Sequence, residues 1–102
     1  MNFEENIKNN NITLPNAADP VGSYVASKIV GKLLYISGQI SIDAEGKLIK
    51  GKIGKDLSLE DGQKAAKFCA INILAQAKKA VDGDLNKIKN CVKITGFVNS
   101  TD

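Results

Sequence analysis

Apolar and polar residues alternate along residues 24–39, which is the pattern of a β-hairpin. Gly31-Lys32 separates the two alternating runs and predicts a two-residue turn with glycine at its first central position. This turn sets the register, so that Val30 pairs with Leu33 and the positions of Tyr24 and Gln39 face each other. The alternation then predicts an apolar face of Val25, Ile29, Leu34, Ile36 and the bare Gly38, and an opposite face of Tyr24, Lys28, Tyr35, Ser37 and Gln39.

A long helix is predicted in the second half of the chain. Ser58, followed three residues later by Asp61, is typical of a helix N-terminus with a capping box. The helix is expected over about residues 59–81 and ends at Gly83. Its apolar stripe at helical spacing consists of Ala66, Cys69, Ala70, Ile73, Ala77, Ala80 and Val81. Because small residues dominate this stripe, we expect the helix to pack closely on a sheet.

Further strands are predicted before and after this helix. Residues 43–47 form a turn and residues 48–54 a short strand that Gly51 weakens. After the helix, residues 90–100 read as another strand, which a right-handed crossover makes parallel to an earlier one. Its helix-facing side consists of Val92, Ile94 and Val98, and its opposite side of Lys93, Thr95, Phe97 and Asn99.

The predicted layers leave one face of the sheet uncovered. One helix covers one side, while Tyr24, Tyr35 and Phe97 lie on the other. Because a domain needs two packed layers, we expect either assembly with further subunits or an additional segment of chain. At the other end, residues 1–11 are polar and Asn-rich, which predicts a mobile end or one helical turn ahead of a domain over residues 12–102.

Composition narrows the chemistry. The chain has 102 residues, 43% hydrophobic and 25% charged, with a net charge of +3, as in an ordinary globular domain. It contains no His, and all 14 basic residues are Lys, so it lacks the commonest general base and a guanidinium clamp. Cys69 and Cys91 have no metal-binding spacing and read as small buried residues in a reducing cytoplasm. No signal peptide or membrane span is visible.

The triplet Ser37-Gly38-Gln39 is the main candidate for a small-molecule site. A hydroxyl, a bare backbone position and an amide end an otherwise apolar strand on the same face as Tyr24. The structural alternative is a plain strand end at which Gly38 allows the helix to approach. From spacing alone, the two interpretations are equally favoured.

Four segments together resemble a known family. "LPNAADPVGSYVAS", "GKLLYISGQI", "GKIGKDLSLEDGQKAAKFCAINILAQ" and "GDLNKIKNCVKITGFVNST" are similar, in order and spacing, to the RidA family, also called YjgF or endoribonuclease L-PSP. The resemblance runs from about Leu14 to the last residue and is greatest to the branch with a GFVNS ending. It implies an α+β chorismate-mutase-like mixed sheet with a helix on one face, incomplete at its C-terminus, and a homotrimer with ligand clefts between subunits.

The resemblance also implies an activity and a site. The activity is hydrolysis of reactive 2-aminoacrylate-type enamines and imines to 2-oxo acids and ammonia, without a metal or an organic cofactor. The implied substrate-binding residues are Tyr24, Ser37, Gly38, Gln39, Asn99 and Thr101. The family's carboxylate-binding Arg and its acidic residue are expected beyond Asp102, so no catalytic residue is assigned. A non-catalytic binding or regulatory trimer is the second hypothesis; a ribonuclease, which needs a base and a phosphate clamp, is the third, and no nucleic-acid or membrane partner is expected.

Overall fold

The computed structural model describes residues 2–102 and consists of a hairpin with a long helix against it. In chain order, its elements are helix α1 (Phe3–Asn9), strands β1 (Ser27–Val30) and β2 (Leu33–Ile36), helix α2 (Leu59–Ala80) and a short 3-10 helix (Leu85–Lys87). The two strands form an antiparallel sheet and α2 lies against both of them. No helix in the described part of the chain is long and apolar enough to cross a membrane.

The hairpin confirms the predicted turn and register. Gly31 has a φ of +61°, which glycine adopts without steric cost, and Val30 pairs with Leu33. The expected faces are present on β2, since Leu34 and Ile36 are half-buried and Tyr35 is exposed. On β1 the prediction was wrong for Ile29, which was expected on the covered face and is 57% exposed. The paired region begins only at Ser27. Residues 24–26, which the alternation predicts as part of the strand, therefore lie outside β1.

Helix α2 begins as predicted, because its capping signals are local. The Ser58 hydroxyl accepts a hydrogen bond from the Asp61 backbone N–H, and the Asp61 carboxylate accepts one from the Ser58 N–H. The Ser58 backbone N–H and, to a smaller extent, the Ser58 hydroxyl next to the Asp61 carboxyl hold its pKa below its ordinary value. The chain leaves the helix through Asp82 and Gly83, both with positive φ.

The predicted apolar stripe of α2 was wrong in its first half. Ala66 and Ala70 are exposed. The covered side of the helix is centred instead on Ala65, Cys69, Asn72 and Gln76, of which Gln76 is only 4% exposed. The pattern of apolar residues did not identify this side of the helix, because two of its positions carry amides. The side chains of Asn72 and Gln76 are nevertheless covered, since both donate hydrogen bonds to backbone carbonyls. Burial also raises the pKa of the Cys69 thiol.

The predicted strands at 48–54 and 90–100 are reduced to single bridges. Ile42 pairs with Leu48 around the predicted turn at 43–47, and Ile53 pairs with Leu57 and, in parallel, with Ser100. The expected parallel return of the chain is therefore present only at this last bridge. Within the described chain, no hydrogen bond involves the backbone of residues 89–98. The side chains expected to face the helix are exposed, namely Val92, Ile94 and Val98.

The N-terminal segment contains more structure than one turn. Helix α1 spans seven residues, and the Asn2 side chain accepts a hydrogen bond from the Glu5 N–H at its start. The Glu4 carboxylate accepts hydrogen bonds from the Leu85 N–H (3.1 Å) and from Lys78 Nζ (3.2 Å). Leu85 is 1% exposed and is the most completely buried large side chain described. Glu4 thus ties α1 to the C-terminal end of α2.

Candidate functional site

The Ser37 side chain lies just beyond the last pair of the hairpin. Its backbone N–H and its hydroxyl both donate to the Ala26 carbonyl, at 3.0 and 3.1 Å. This confirms the predicted pairing of Ser37 with Ala26. Because the hydroxyl proton is used in this bond, the Oγ lone pairs are the part of the group that can bind a ligand or a water.

Gln39 turns back onto the same strand end. Its Nε2 donates to the Ser37 carbonyl at 3.1 Å, and its side chain is half-buried. The backbone N–H groups of Gly38 and Gln39 have no hydrogen-bond partner within the described chain. The triplet therefore contains, in three consecutive residues, a hydroxyl oxygen, an amide and two backbone N–H groups without a partner in the described chain.

Gly38 does not serve close helix packing. A Cβ built at this position would meet no heavy atom within 4 Å. The expectation that Gly38 allows α2 to approach the sheet was wrong, because the sheet pairing ends before residue 38 is reached. Close approach to the helix occurs instead at Gly62, where a Cβ would clash with the tip of the Ile53 side chain.

Tyr24 lies on the lead-in to the hairpin and outside the paired strands. Its hydroxyl accepts a hydrogen bond from the Val21 N–H at 3.4 Å, and the residue is 48% exposed. Strand β1 starts three residues later, so the predicted pairing of Tyr24 with Gln39 is not formed. Ser37 is hydrogen-bonded to Ala26, which lies two residues after Tyr24 in the sequence.

Asn99 and Thr101 are held at a different place, the loop that precedes α2. The Ile53 N–H donates to the Asn99 carbonyl and the Thr101 N–H to the Ile53 carbonyl, at 3.0 and 2.9 Å. Asn99 Nδ2 donates to the Gly51 carbonyl at 3.3 Å. Among the hydrogen bonds of residues 2–102, none joins this group to the Ser37–Gln39 triplet. The hydrogen bonds thus hold Ser37 and Gln39 at the end of β2, and Asn99 and Thr101 at the loop before α2.

Two further polar residues contact the segments around the triplet. Asn72 donates to the carbonyls of Ile40 and Ile42, and Gln76 donates to the carbonyl of Ala18. The sequence signal for them is an amide at each of two positions four residues apart on the covered, otherwise apolar side of the helix. Periodicity based on apolar residues alone does not detect it.

Two clefts of the described chain lie away from the triplet. One, of about 570 Å³, is lined by α1 and Asn86, and another, of about 530 Å³, lies between Ile12–Ala17 and the end of α2. The triplet is therefore a surface feature of the single chain. Within residues 2–102, no three His, Cys, Asp or Glu side chains are grouped as a metal site.

A long helix across an antiparallel hairpin defines a small α+β protein with a chorismate-mutase-like fold. The chain belongs to the YjgF family. The family model described as "YjgF/chorismate_mutase-like, putative endoribonuclease" matches residues 4–102. This confirms the resemblance read from the sequence.

Relatives and solved structures of this type are longer than the chain. Protein TCP17 of Trypanosoma cruzi is 38% identical over 96 residues, which cover 94% of this chain and 59% of TCP17. The crystal structure of Atu1372, a protein of unknown function from Agrobacterium tumefaciens, is 45% identical with a TM-score of 0.71, over 83% of this chain and 51% of that one. A "putative endoribonuclease" from Shewanella oneidensis MR-1 is 32% identical with a TM-score of 0.76, over 84% and 56%. The chain thus spans about half to three-fifths of these proteins.

Proposed function

We propose that the chain is part of a deaminase that hydrolyses 2-aminoacrylate-type enamines and imines to 2-oxo acids and ammonia. In this reaction, water adds to the imine carbon, a proton moves to the nitrogen, and the carbinolamine releases ammonia. The observation that carries the proposal is the geometry of the triplet. It places one hydroxyl oxygen beside two adjacent backbone N–H groups without partners in the described chain.

Each part of the triplet has a role suited to this substrate. The backbone donors of Gly38 and Gln39 can bind the substrate carboxylate, in addition to the guanidinium that the family resemblance implies beyond Asp102. The Ser37 oxygen, whose proton is given to Ala26, can accept a hydrogen bond from the attacking water or from the imine N–H. Tyr24 forms one wall. In this proposal, Asn99 and Thr101 are part of the site only if another subunit or segment joins the loop before α2 to the triplet.

A site of this kind needs further walls, and we propose that they come from a homotrimer. The uncovered face of the hairpin exposes Val30, Leu33 and Tyr35, at 56%, 45% and 56%. Packing this face against another subunit would bury it and would turn the open triplet into a cleft. Both thiols are free, which is compatible with the reducing cytoplasm that we propose as the location.

The test is an imine-hydrolysis assay on the full-length protein. A serine dehydratase generates 2-aminoacrylate, and pyruvate release is followed with and without the protein. We expect Ser37→Ala to lower the acceleration of pyruvate release several-fold while the melting temperature changes little. Ser41→Ala is the matched control, because its hydroxyl also donates to a carbonyl, that of Ile49 at 2.6 Å, but lies outside the triplet.

The alternatives make different predictions in the same assay. A binding or regulatory trimer would bind 2-oxo acids without accelerating pyruvate release. A ribonuclease, the activity in the description of the Shewanella structure, would cleave RNA; we rank it third, because these 102 residues contain no His or Arg. If the wild-type protein neither accelerates pyruvate release nor binds pyruvate, the deaminase proposal is wrong.

A further inference from the structure

Two amide side chains on the covered side of α2 donate hydrogen bonds to backbone carbonyls. Asn72 is half-buried and Gln76 is 4% exposed. No polar side-chain atom buried within the described chain lacks a hydrogen-bond partner. Since burying an amide without a partner is costly, the contacts of these two residues account for their presence on this side of the helix.

Asn72 holds the segment that directly follows the triplet. Its Nδ2 donates to the Ile40 carbonyl at 3.1 Å and to the Ile42 carbonyl at 3.0 Å, so both of its N–H bonds are used. The Ile42 N–H in turn donates to the Ile40 carbonyl at 2.9 Å. The chain therefore forms a tight turn after Gln39, with both of its outer carbonyls fixed to one side chain.

Gln76 holds the segment that leads into the hairpin. Its Nε2 donates to the Ala18 carbonyl at 2.8 Å, across 58 residues of sequence. Ala18 lies ahead of Tyr24, and the two residues are joined by the irregular stretch around Pro20. Asn72 and Gln76 are four residues apart, so they lie next to each other on one face of a rigid helix.

We propose that Asn72 and Gln76 are positioning residues for the candidate site, acting from α2 on the two chain segments that carry its residues. This inference rests on the proposed function, since it concerns the same site. The helix fixes the spacing of its two amides, and the amides fix Ile40–Ile42 and Ala18 relative to each other. The direction in which Gly38 and Gln39 present their N–H groups then depends on a side chain that touches no substrate.

The test replaces each amide by the carboxylate of the same shape. Asn72→Asp and Gln76→Glu remove the donors and set a charged acceptor against the backbone carbonyls. Gln63→Glu is the matched control, because Gln63 lies exposed on the same helix and makes no side-chain hydrogen bond within the described chain. Pyruvate affinity is measured by titration, and hydrogen exchange is measured at the backbone amides of residues 37–42.

We expect Asn72→Asp to weaken pyruvate binding at least tenfold and to speed exchange in residues 37–42, while Gln63→Glu changes neither. A purely structural residue would lower the melting temperature and leave the affinity of the folded protein unchanged, which would overturn the inference. If the carboxylate variants do not fold, Asn72→Ala and Gln76→Ala are measured in the same way, with the same expectation.

Failure of the proposed function has a separate signature. If wild-type protein binds no pyruvate and hydrolyses no imine, the deaminase proposal fails, and the inference is judged by hydrogen exchange alone. In that case, unchanged exchange in residues 37–42 of Asn72→Asp would show that Asn72 does not position this segment. Faster exchange confined to those residues would support it.

Discussion

At the scale of single residues, Gly54 is the glycine most tightly required by the fold. Its φ is +96°, and a Cβ at this position would clash with the Thr101 hydroxyl. Gly54→Ala should therefore lower the free energy of unfolding by about 1–3 kcal/mol. Gly96→Ala, at an open position, should change it by less than about 0.5 kcal/mol. Urea denaturation of both variants checks this, and equal effects would contradict the contact between Gly54 and Thr101.

Gly38 gives a second prediction at this scale. Because nothing lies within 4 Å of its missing Cβ, Gly38→Ala should fold as stably as the wild type. The new methyl group would nevertheless lie between the two N–H groups proposed to bind the carboxylate, so pyruvate should bind more weakly. Thermal melting and pyruvate titration of the same variant test both parts. A large fall in melting temperature with unchanged affinity would restore the interpretation of Gly38 as a packing residue.

Residue roles were predictable where neighbouring residues determine them. Ser37 follows from alternation and the Gly31 turn, since each position after the turn alternates between the two faces. Asn72 and Gln76 did not follow, because their partners lie 30 to 58 residues away and a sequence pattern carries no information about which carbonyls need a donor. The contacts of Asn99 and Thr101 with the loop before α2 were not predictable for the same reason.

At the scale of elements, α1 depends on the charge of Glu4. The Leu85 N–H, the Lys78 ammonium and its Coulombic attraction hold the pKa of the Glu4 carboxyl below its ordinary value of 4.5, the backbone bond contributing most. A lowered pKa in the folded state means that this stabilisation is complete above the ordinary value and is lost as the pH falls through the folded-state pKa.

Glu4→Gln should therefore lower the melting temperature at neutral pH. The difference in melting temperature between this variant and the wild type should become smaller as the pH falls below 4.5. Two other charged residues, Asp84 and Lys87, lie close to Leu85 in the sequence. Lys87 Nζ lies 4.0 Å from Asp82 Oδ2 and does not pair with Glu4. Glu5→Gln is the control on the same helix. Melting curves of the three proteins are measured across this pH range. A difference in melting temperature between Glu4→Gln and the wild type that stays constant would contradict the role of the Glu4 charge.

Elements were predictable to the extent that their signals are local. The bounds of α2 follow from Ser58, Asp61 and Gly83, and the hairpin follows from Gly31. Residues 91–98 have strong strand propensity but are exposed and unpaired in the single chain. Propensity identifies a segment that is able to pair, whereas pairing also needs an edge at the right distance. This difference accounts for most of the disagreement in the sheet.

At the scale of the whole molecule, the chain has more surface than a compact monomer. Its solvent-accessible area is 7997 Å², against about 5,600 Å² expected for a compact monomer of this mass. Its radius of gyration is 14.5 Å, against about 13 Å. Phe97, at 96% exposed, is the most exposed aromatic residue. The excess area is larger than the approximately 800 Å² that one partner buries in a standard interface.

We therefore predict that the full-length protein is a homotrimer at micromolar concentration. Val30→Glu, on the uncovered face of the hairpin, should shift it toward monomers, because a carboxylate buried at a subunit interface lacks a partner. Lys32→Glu, at the exposed hairpin turn, is the control and should leave the assembly unchanged. Sedimentation velocity measures the outcome, and a wild-type monomer would disprove the prediction.

The Glu4 contacts also impose an order of events during synthesis. They join residues 74 to 82 positions apart, so α1 is synthesised well before its docking partners Leu85 and Asn86 leave the ribosome. A seven-residue helix is too short to be stable alone in water, so residues 3–9 should remain unfolded until residues 78–86 have been synthesised. Helix α1 is thus synthesised before the elements that it docks on and should fold after them, once residues 78–86 are in place.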